Sequence, residues 1–151
     1  MIYSLEEFKK YDKIKSKIMK FVLYKKRTEQ EVRQKFAKEV ERDVLEDIIE
    51  ELKEDLYIND YNYIERAVNE YINLKSMSIK EIEFKLYTKG ISSKLIEKFV
   101  SNNIDVLEEY ENRSLKKLIE KKKTLVNEEQ LIGYLLRRGF KQENIQKFLY
   151  K

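Results

Sequence analysis

Thr28-Glu29-Gln30-Glu31-Val32-Arg33-Gln34-Lys35-Phe36 returns 50 residues later as Ser78-Ile79-Lys80-Glu81-Ile82-Glu83-Phe84-Lys85-Leu86. After a further 49 residues it returns again as Asn127-Glu128-Glu129-Gln130-Leu131-Ile132-Gly133-Tyr134-Leu135. Each copy opens with a side-chain oxygen able to cap a helix. Three residues on stands a Glu or Gln able to bond back to the cap's own N–H, which makes a capping box. The apolar residues four and eight positions after the cap share one helix face. Self-similarity at a fixed period means one supersecondary unit used three times, each too small to bury its apolar face alone. The expected fold is therefore all-α: an elongated, curved array of three tandem three-helix repeats whose surface takes a partner.

Working outward, each repeat acquires two more helices. In the first, Ile14, Ile18, Phe21 and Val22 mark an apolar face ahead of Thr28, and Val44, Leu45, Ile48, Ile49 and Leu52 mark another behind it. The second begins near Asp60 with Tyr63, Ile64, Ala67, Val68, Tyr71 and Ile72, and closes with Ile91, Leu95, Ile96 and Phe99. The third opens with a long helix from about Ile104 to Lys123 and ends with Ile145, Phe148 and Leu149. About nine helices result. Gly90 and Gly139 occupy matching places, and both read as left-handed helix stops. In the first repeat Glu39-Val40-Glu41 replaces the glycine, which predicts a tighter or more helical turn there. The expected divisions are a lead-in over 1–11 and repeats over 12–58, 59–102 and 103–151.

Composition excludes most other classes. With no proline, 3 glycines and 40% charged residues among 151, the chain reads as a helical, soluble protein with few tight turns. No stretch resembles a signal peptide or a membrane span, so a cytoplasmic, membrane-free monomer is expected. Without histidine or cysteine there is no disulfide, no thiol chemistry and no usual zinc ligand, leaving only carboxylate-bound Mg²⁺ or Ca²⁺. The chain also lacks the usual base and nucleophile of an enzyme and any phosphate-cradling glycine loop. No catalytic residue, cofactor or metal site is expected.

Charge is segregated along the chain. Residues 1–38 carry 12 Lys and Arg against 5 Asp and Glu, residues 39–70 carry 3 against 12, residues 71–112 carry 6 against 7, and residues 113–151 carry 11 against 4. The ends are basic and the middle is acidic. One reading sends Lys25-Lys26-Arg27, Lys116-Lys117, Lys121-Lys122-Lys123 and Arg137-Arg138 to phosphates or an acidic protein surface, and Glu46, Asp47, Glu50, Glu51, Glu54 and Asp55 to a basic protein surface. The other reading leaves these residues as solvated helix faces, or pairs them with one another inside the array. Lys121 to Lys123 and Arg137-Arg138 lie near helix ends of one repeat, where they are placed to converge, although Arg137 and Arg138 also suit a helix C-terminus. Of the 11 tyrosines, Tyr63 and Tyr71 fit a packed helix face. Tyr61 and Tyr150 are open to packing or stacking, and Tyr87 and Tyr134 are the better surface candidates for stacking on unpaired bases.

The triple repeat, with its Lys-Gly-aliphatic stop and Ile-x-x-aromatic last helix, resembles the RecX regulatory family, bacterial modulators of the RecA recombinase. Leu56-Tyr57-Ile58-Asn59-Asp60-x-x-Tyr63 resembles that family's link into its middle repeat, and Lys89-Gly90-Ile91 resembles its helix stop. The resemblance covers roughly Ile14 to Tyr150. Two positions depart from the pattern: the first repeat lacks the glycine, and Ser78 stands where members often have Gly. Little precedes the first repeat, as expected of a short member. The resemblance implies a non-catalytic protein that lies in the groove of the RecA–single-stranded-DNA filament and inhibits its extension, recombinase and co-protease activities. A DNA-binding module acting without RecA, or a scaffold for another protein, are the alternatives. The acidic 39–70 segment would repel phosphate unless turned away, which favours the filament.

Overall fold

The fold, a computed structural model, describes residues 4–150. Among these residues there are nine helices and no strand: α1 (Leu5–Tyr24), α2 (Glu29–Phe36), α3 (Arg42–Glu54), α4 (Asp60–Leu74), α5 (Ile79–Thr88), α6 (Ser93–Asn102), α7 (Ile104–Lys122), α8 (Glu128–Arg137) and α9 (Gln142–Leu149). They form two compact units. Of the described residues, the first holds 4–63 together with Lys89–Ile91, and the second holds Ile64–Thr88 with 92–150.

In the first unit α2 packs against both α1 and α3. Ile18, Val32, Ile48, Ile49 and Leu52 are fully enclosed there, and the rings of Phe21 and Phe36 meet edge to face with centroids 5.5 Å apart. The first helix starts earlier than a lead-in over 1–11 implies. The Ser4 hydroxyl accepts the Glu7 N–H at 3.2 Å, and seven residues later the buried Tyr11 donates its hydroxyl hydrogen to Glu51 at 2.6 Å. Ser4-Leu5-Glu6-Glu7 is itself a cap-x-x-Glu signature, so the extra turns were written in the sequence. After α2 the chain winds on through Ala37–Val40, with the N–H groups of Glu39 and Val40 both reaching the Phe36 carbonyl, so no glycine is needed. At the end of α3 the N–H of Leu56 bonds Lys53 and that of Tyr57 bonds Leu52, a Schellman closure that puts the non-glycine Leu56 at φ 64°.

In the second unit α7 packs against α5, α6, α8 and α9. Leu115, Leu131, Leu135 and Ile145 are enclosed on its α8–α9 side. The buried Tyr110 of α7 holds the link between α4 and α5: its hydroxyl donates to the Lys75 carbonyl at 2.6 Å and accepts the Met77 N–H at 3.0 Å. Next to it the buried Glu111 accepts the Ile79 N–H at 2.7 Å, and burial raises the carboxyl pKa above its ordinary value. Both glycine stops are left-handed as the sequence predicts, Gly90 at φ 82° and Gly139 at φ 91°. At the second, Gly139 bonds Leu136 and Phe140 bonds Leu135, which completes a Schellman motif.

All three capping boxes form. Two of them do more than cap. The Thr28 hydroxyl accepts the Glu31 N–H and donates to the Lys89 carbonyl at 2.7 Å, while the Glu31 carboxylate lies 3.9 Å from the Lys89 ammonium. In the second unit the Ser78 hydroxyl likewise accepts the Glu81 N–H and donates to the Arg138 carbonyl, and Glu81 pairs with the Arg138 guanidinium at 2.8 Å. The cap of α2 thus clasps the residue just before Gly90, and the cap of α5 clasps the residue just before Gly139. Only glycine fits beside it, since a Cβ on Gly90 would lie 2.3 Å from Gln30 Cβ, and one on Gly139 would lie 2.9 Å from Lys80 Cβ. The third box, on Asn127 and Gln130, is exposed.

Candidate nucleic-acid interface

Three helices of the second unit each contribute a pair of residues four apart to one cleft. Glu81 and Lys85 come from α5, Lys117 and Lys121 from α7, and Tyr134 and Arg138 from α8 and its cap. Lys122 adds to the α7 wall, Lys75 and Ser76 of the α4–α5 link close one end, and Met77 and Leu118 supply apolar surface. The cleft encloses about 570 Å³. Its lining holds six cations (Lys75, Lys85, Lys117, Lys121, Lys122 and Arg138) and one carboxylate, Glu81.

That carboxylate is committed to Arg138, whose guanidinium is fastened on three sides. It donates to Glu81 at 2.8 Å, to the Tyr134 hydroxyl at 2.6 Å and to the Ser76 carbonyl at 2.6 Å. Arg138 is therefore the rigid part of the wall. The lysines carry the rest of its charge. Lys122 lies over the Tyr134 ring at 4.5 Å, and Lys75 and Lys85 lie over Tyr71 at 6.0 and 5.5 Å.

Of the basic residues singled out from the sequence, Lys117, Lys121, Lys122 and Arg138 meet in this cleft, and Tyr134 joins them. Lys123, Lys116 and Arg137 do not line it. Lys123 pairs with Glu120 at 2.9 Å, Lys116 lies over the Phe148 ring at 4.9 Å, and Arg137 is exposed on α8. Arg27 is turned inward, its guanidinium 4.0 Å over Phe21, whereas Lys25 and Lys26 are exposed after α1. Tyr87 is exposed and does not line the cleft; it borders a separate hollow with Glu83 and Glu97. Tyr150 bonds Glu128 through its hydroxyl. Reading the sequence missed Lys75 and Lys85. A signal for Lys85 was present, because it holds the same place after its cap as Tyr134 holds after Asn127.

Three of the six acidic residues singled out from the sequence are answered from within the first unit. Arg33 grips Glu46 with two nitrogens at 2.8 and 2.9 Å, Lys15 and Tyr11 hold Glu51, and Lys53 lies 3.4 Å from Glu50. Arg33 and Lys15 accordingly hold the Glu46 and Glu51 carboxyls below the ordinary range. Asp47, Glu54 and Asp55 are exposed on or just beyond α3. Among the described residues no group of acidic side chains is placed to hold a metal ion, and no helix is long and apolar enough to cross a membrane.

No family model matches the chain. Curated proteins and solved structures do. Regulatory protein RecX of Finegoldia magna (strain ATCC 29328 / DSM 20472 / WAL 2508) is 29% identical over an alignment of 135 positions that covers 81% of this chain and 63% of that protein. Regulatory protein RecX of Caldanaerobacter subterraneus subsp. tengcongensis (strain DSM 15242 / JCM 11007 / NBRC 100824 / MB4) is 34% identical over 95 residues, 62% of this chain and 46% of that protein. The chain thus spans less than two thirds of the length of either relative. The crystal structure of RecX from Lactobacillus salivarius superposes with a TM-score of 0.78 at 22% identity, covering 93% of this chain and 94% of that one. A second crystal structure of regulatory protein RecX gives 0.82 at 19% identity over 100% and 81%.

Proposed function

Starting from the chain's homology to regulatory protein RecX and its possession of the RecX fold, we propose that it is a non-catalytic regulator of the RecA recombinase. It binds the RecA–single-stranded-DNA filament and inhibits filament extension, and with it strand exchange and co-protease activity. The observation that supports a nucleoprotein partner is the cleft of α5, α7 and α8, where six cations face one already-paired carboxylate. Concentrated positive charge of this kind attracts phosphate and speeds encounter with a polyanion.

The acidic stretch supports less than its charge count suggests. Glu46, Glu50 and Glu51 are partnered inside the first unit, so the run offers less free negative charge to a basic protein surface, or against naked DNA, than its sequence implies. A DNA-binding module acting without RecA is for that reason the second reading, favoured by the same cleft. One experiment separates them: the single-stranded-DNA-dependent ATPase of RecA, titrated with this protein. The expected result is inhibition at amounts well below those needed to saturate the DNA. Unchanged ATPase at a clear molar excess over RecA overturns the filament reading, and inhibition only when the DNA itself is saturated favours the second.

A further inference from the structure

We infer that the cleft of α5, α7 and α8 takes the phosphodiester backbone of a single nucleic-acid strand and leaves the bases unstacked. The inference deepens the reading above and rests on it for the strand's place in the filament. The cleft's own chemistry stands on three observations.

The first is unanswered charge. Lys75, Lys117, Lys121 and Lys122 form no ion pair among the described residues, although Lys15, Lys17 and Arg33 of the first unit each hold a carboxylate within 2.5–2.8 Å. Like charges gathered in one concavity repel one another until an anion enters, and a polyanion that enters also releases its own counterions.

The second is the state of the rings. A tyrosine that stacks on bases must offer a face. Here Tyr134 has Lys122 at 4.5 Å and Arg138 at 5.6 Å from its centroid, and Tyr71 has Lys75 and Lys85. A base settling on either ring would displace ammonium groups that the phosphates need. A phosphate approaching from the solvent side leaves these cation–π contacts in place and adds to them. Tyr134 thus orients cations and does not act as a platform.

The third is the kind of cation. The one guanidinium, Arg138, already commits three of its five N–H groups, one from each nitrogen, to Glu81, Tyr134 and Ser76, which holds it as part of the wall. What faces the cleft otherwise is ammonium on flexible stems. Such point charges suit a repeating, sequence-independent chain of phosphates.

The test uses the full chain without RecA. Fluorescence anisotropy compares an oligothymidylate with a fully abasic deoxyribose-phosphate strand of equal length, over a salt series, for the wild type and for the Lys117→Glu/Lys121→Glu variant. Both positions are exposed on α7, and circular dichroism verifies the variant's helix content. The expected result is near-equal affinity for the two strands, the same salt slope, and a loss of about tenfold or more for both in the variant. Loss of stacking weakens binding by about fivefold or more per base, so an abasic strand bound that much more weakly overturns the backbone assignment. Unchanged affinity of the variant overturns the location. Competition by a polyglutamate of equal charge as effective as the abasic strand assigns the cleft to acidic protein and overturns the inference. RecA is absent throughout, so failure here leaves the ATPase result standing, and failure there leaves this one.

Discussion

At Gly90 and Gly139 the chain needs two things that a side chain forbids, a left-handed backbone and close approach to a helix start, that of α2 for Gly90 and that of α5 for Gly139. The first was legible, because a glycine after an apolar helix face is a local signal. The second was not, since Gln30 and Lys80 are remote in sequence from the glycines they touch. The difference has a magnitude. Left-handed strain alone predicts a loss of about 1 kcal/mol for Gly90→Ala. A Cβ 2.3 Å from Gln30 Cβ adds overpacking, worth about 1–3 kcal/mol more. Urea unfolding of Gly90→Ala is therefore expected to show a loss of about 2 kcal/mol or more, and a loss of only about 1 would mean that the stop does not dock on α2. Leu56 is the converse case. It is 66% exposed with φ 64°, so Leu56→Gly removes strain and little packing, and a gain of up to about 1 kcal/mol is expected in the same measurement. A loss would place a buried role on the leucine.

Among the elements, the helix starts were readable and the clasps were not. A capping box is an i, i+3 pattern, visible in any window of four residues. The bond from Thr28 to Lys89 spans 61 residues and the one from Ser78 to Arg138 spans 60, which no local pattern reports. The consequence is that the three caps differ in worth. Thr28→Val removes the acceptor for Glu31 and the donor to Lys89 at a position with no exposure, and about 2–3 kcal/mol is expected from the two together. Ser78→Ala loses the same pair. Asn127→Ala loses a solvent-exposed cap alone and should cost about 1 kcal/mol. Equal costs at all three positions, by urea unfolding, would reduce the clasps to ordinary caps. The cleft shows the same limit: charge runs pointed to α7 and Arg138, but Lys75 and Lys85 arrive singly from other elements, and only the fold adds them.

Over the whole molecule, the carboxylates divide into two opposing sets. Lys17, Arg33 and Lys15 depress Glu39, Glu46 and Glu51 respectively, so their contribution to stability is present above the ordinary carboxylate pKa and is lost as pH falls through the depressed folded values. Glu111 has the opposite sign. Burial raises its folded pKa, so its protonated form favours the native state below the ordinary value of 4.5, and that contribution is lost as pH rises through the raised value. Glu111→Gln keeps an acceptor for the Ile79 N–H and removes the charge. Melting temperatures from about pH 4 to about pH 8 should then rise relative to wild type as pH increases, and parallel curves would show that Glu111 is not desolvated. The segregated charge of the chain was plain from composition, whereas its meaning was not, because pairing is decided by which helices pack together. Glu46, Glu50 and Glu51 of the acidic run turned out to be partnered, whereas Lys117, Lys121, Lys122 and Arg138 of the basic set line one cleft.

The clasp finally constrains how such a chain can drift. Glu81 meets Arg138 and Glu31 meets Lys89, each pair joining positions about sixty residues apart that no helix shares. A substitution that reverses the sign of one member leaves two like charges facing each other beside a glycine that has no room to yield. Lineages of this protein should therefore carry changes at 81 and 138, and at 31 and 89, as matched exchanges. The hydroxyl of 28 should persist wherever the glycine of 90 persists, and that of 78 wherever the glycine of 139 does.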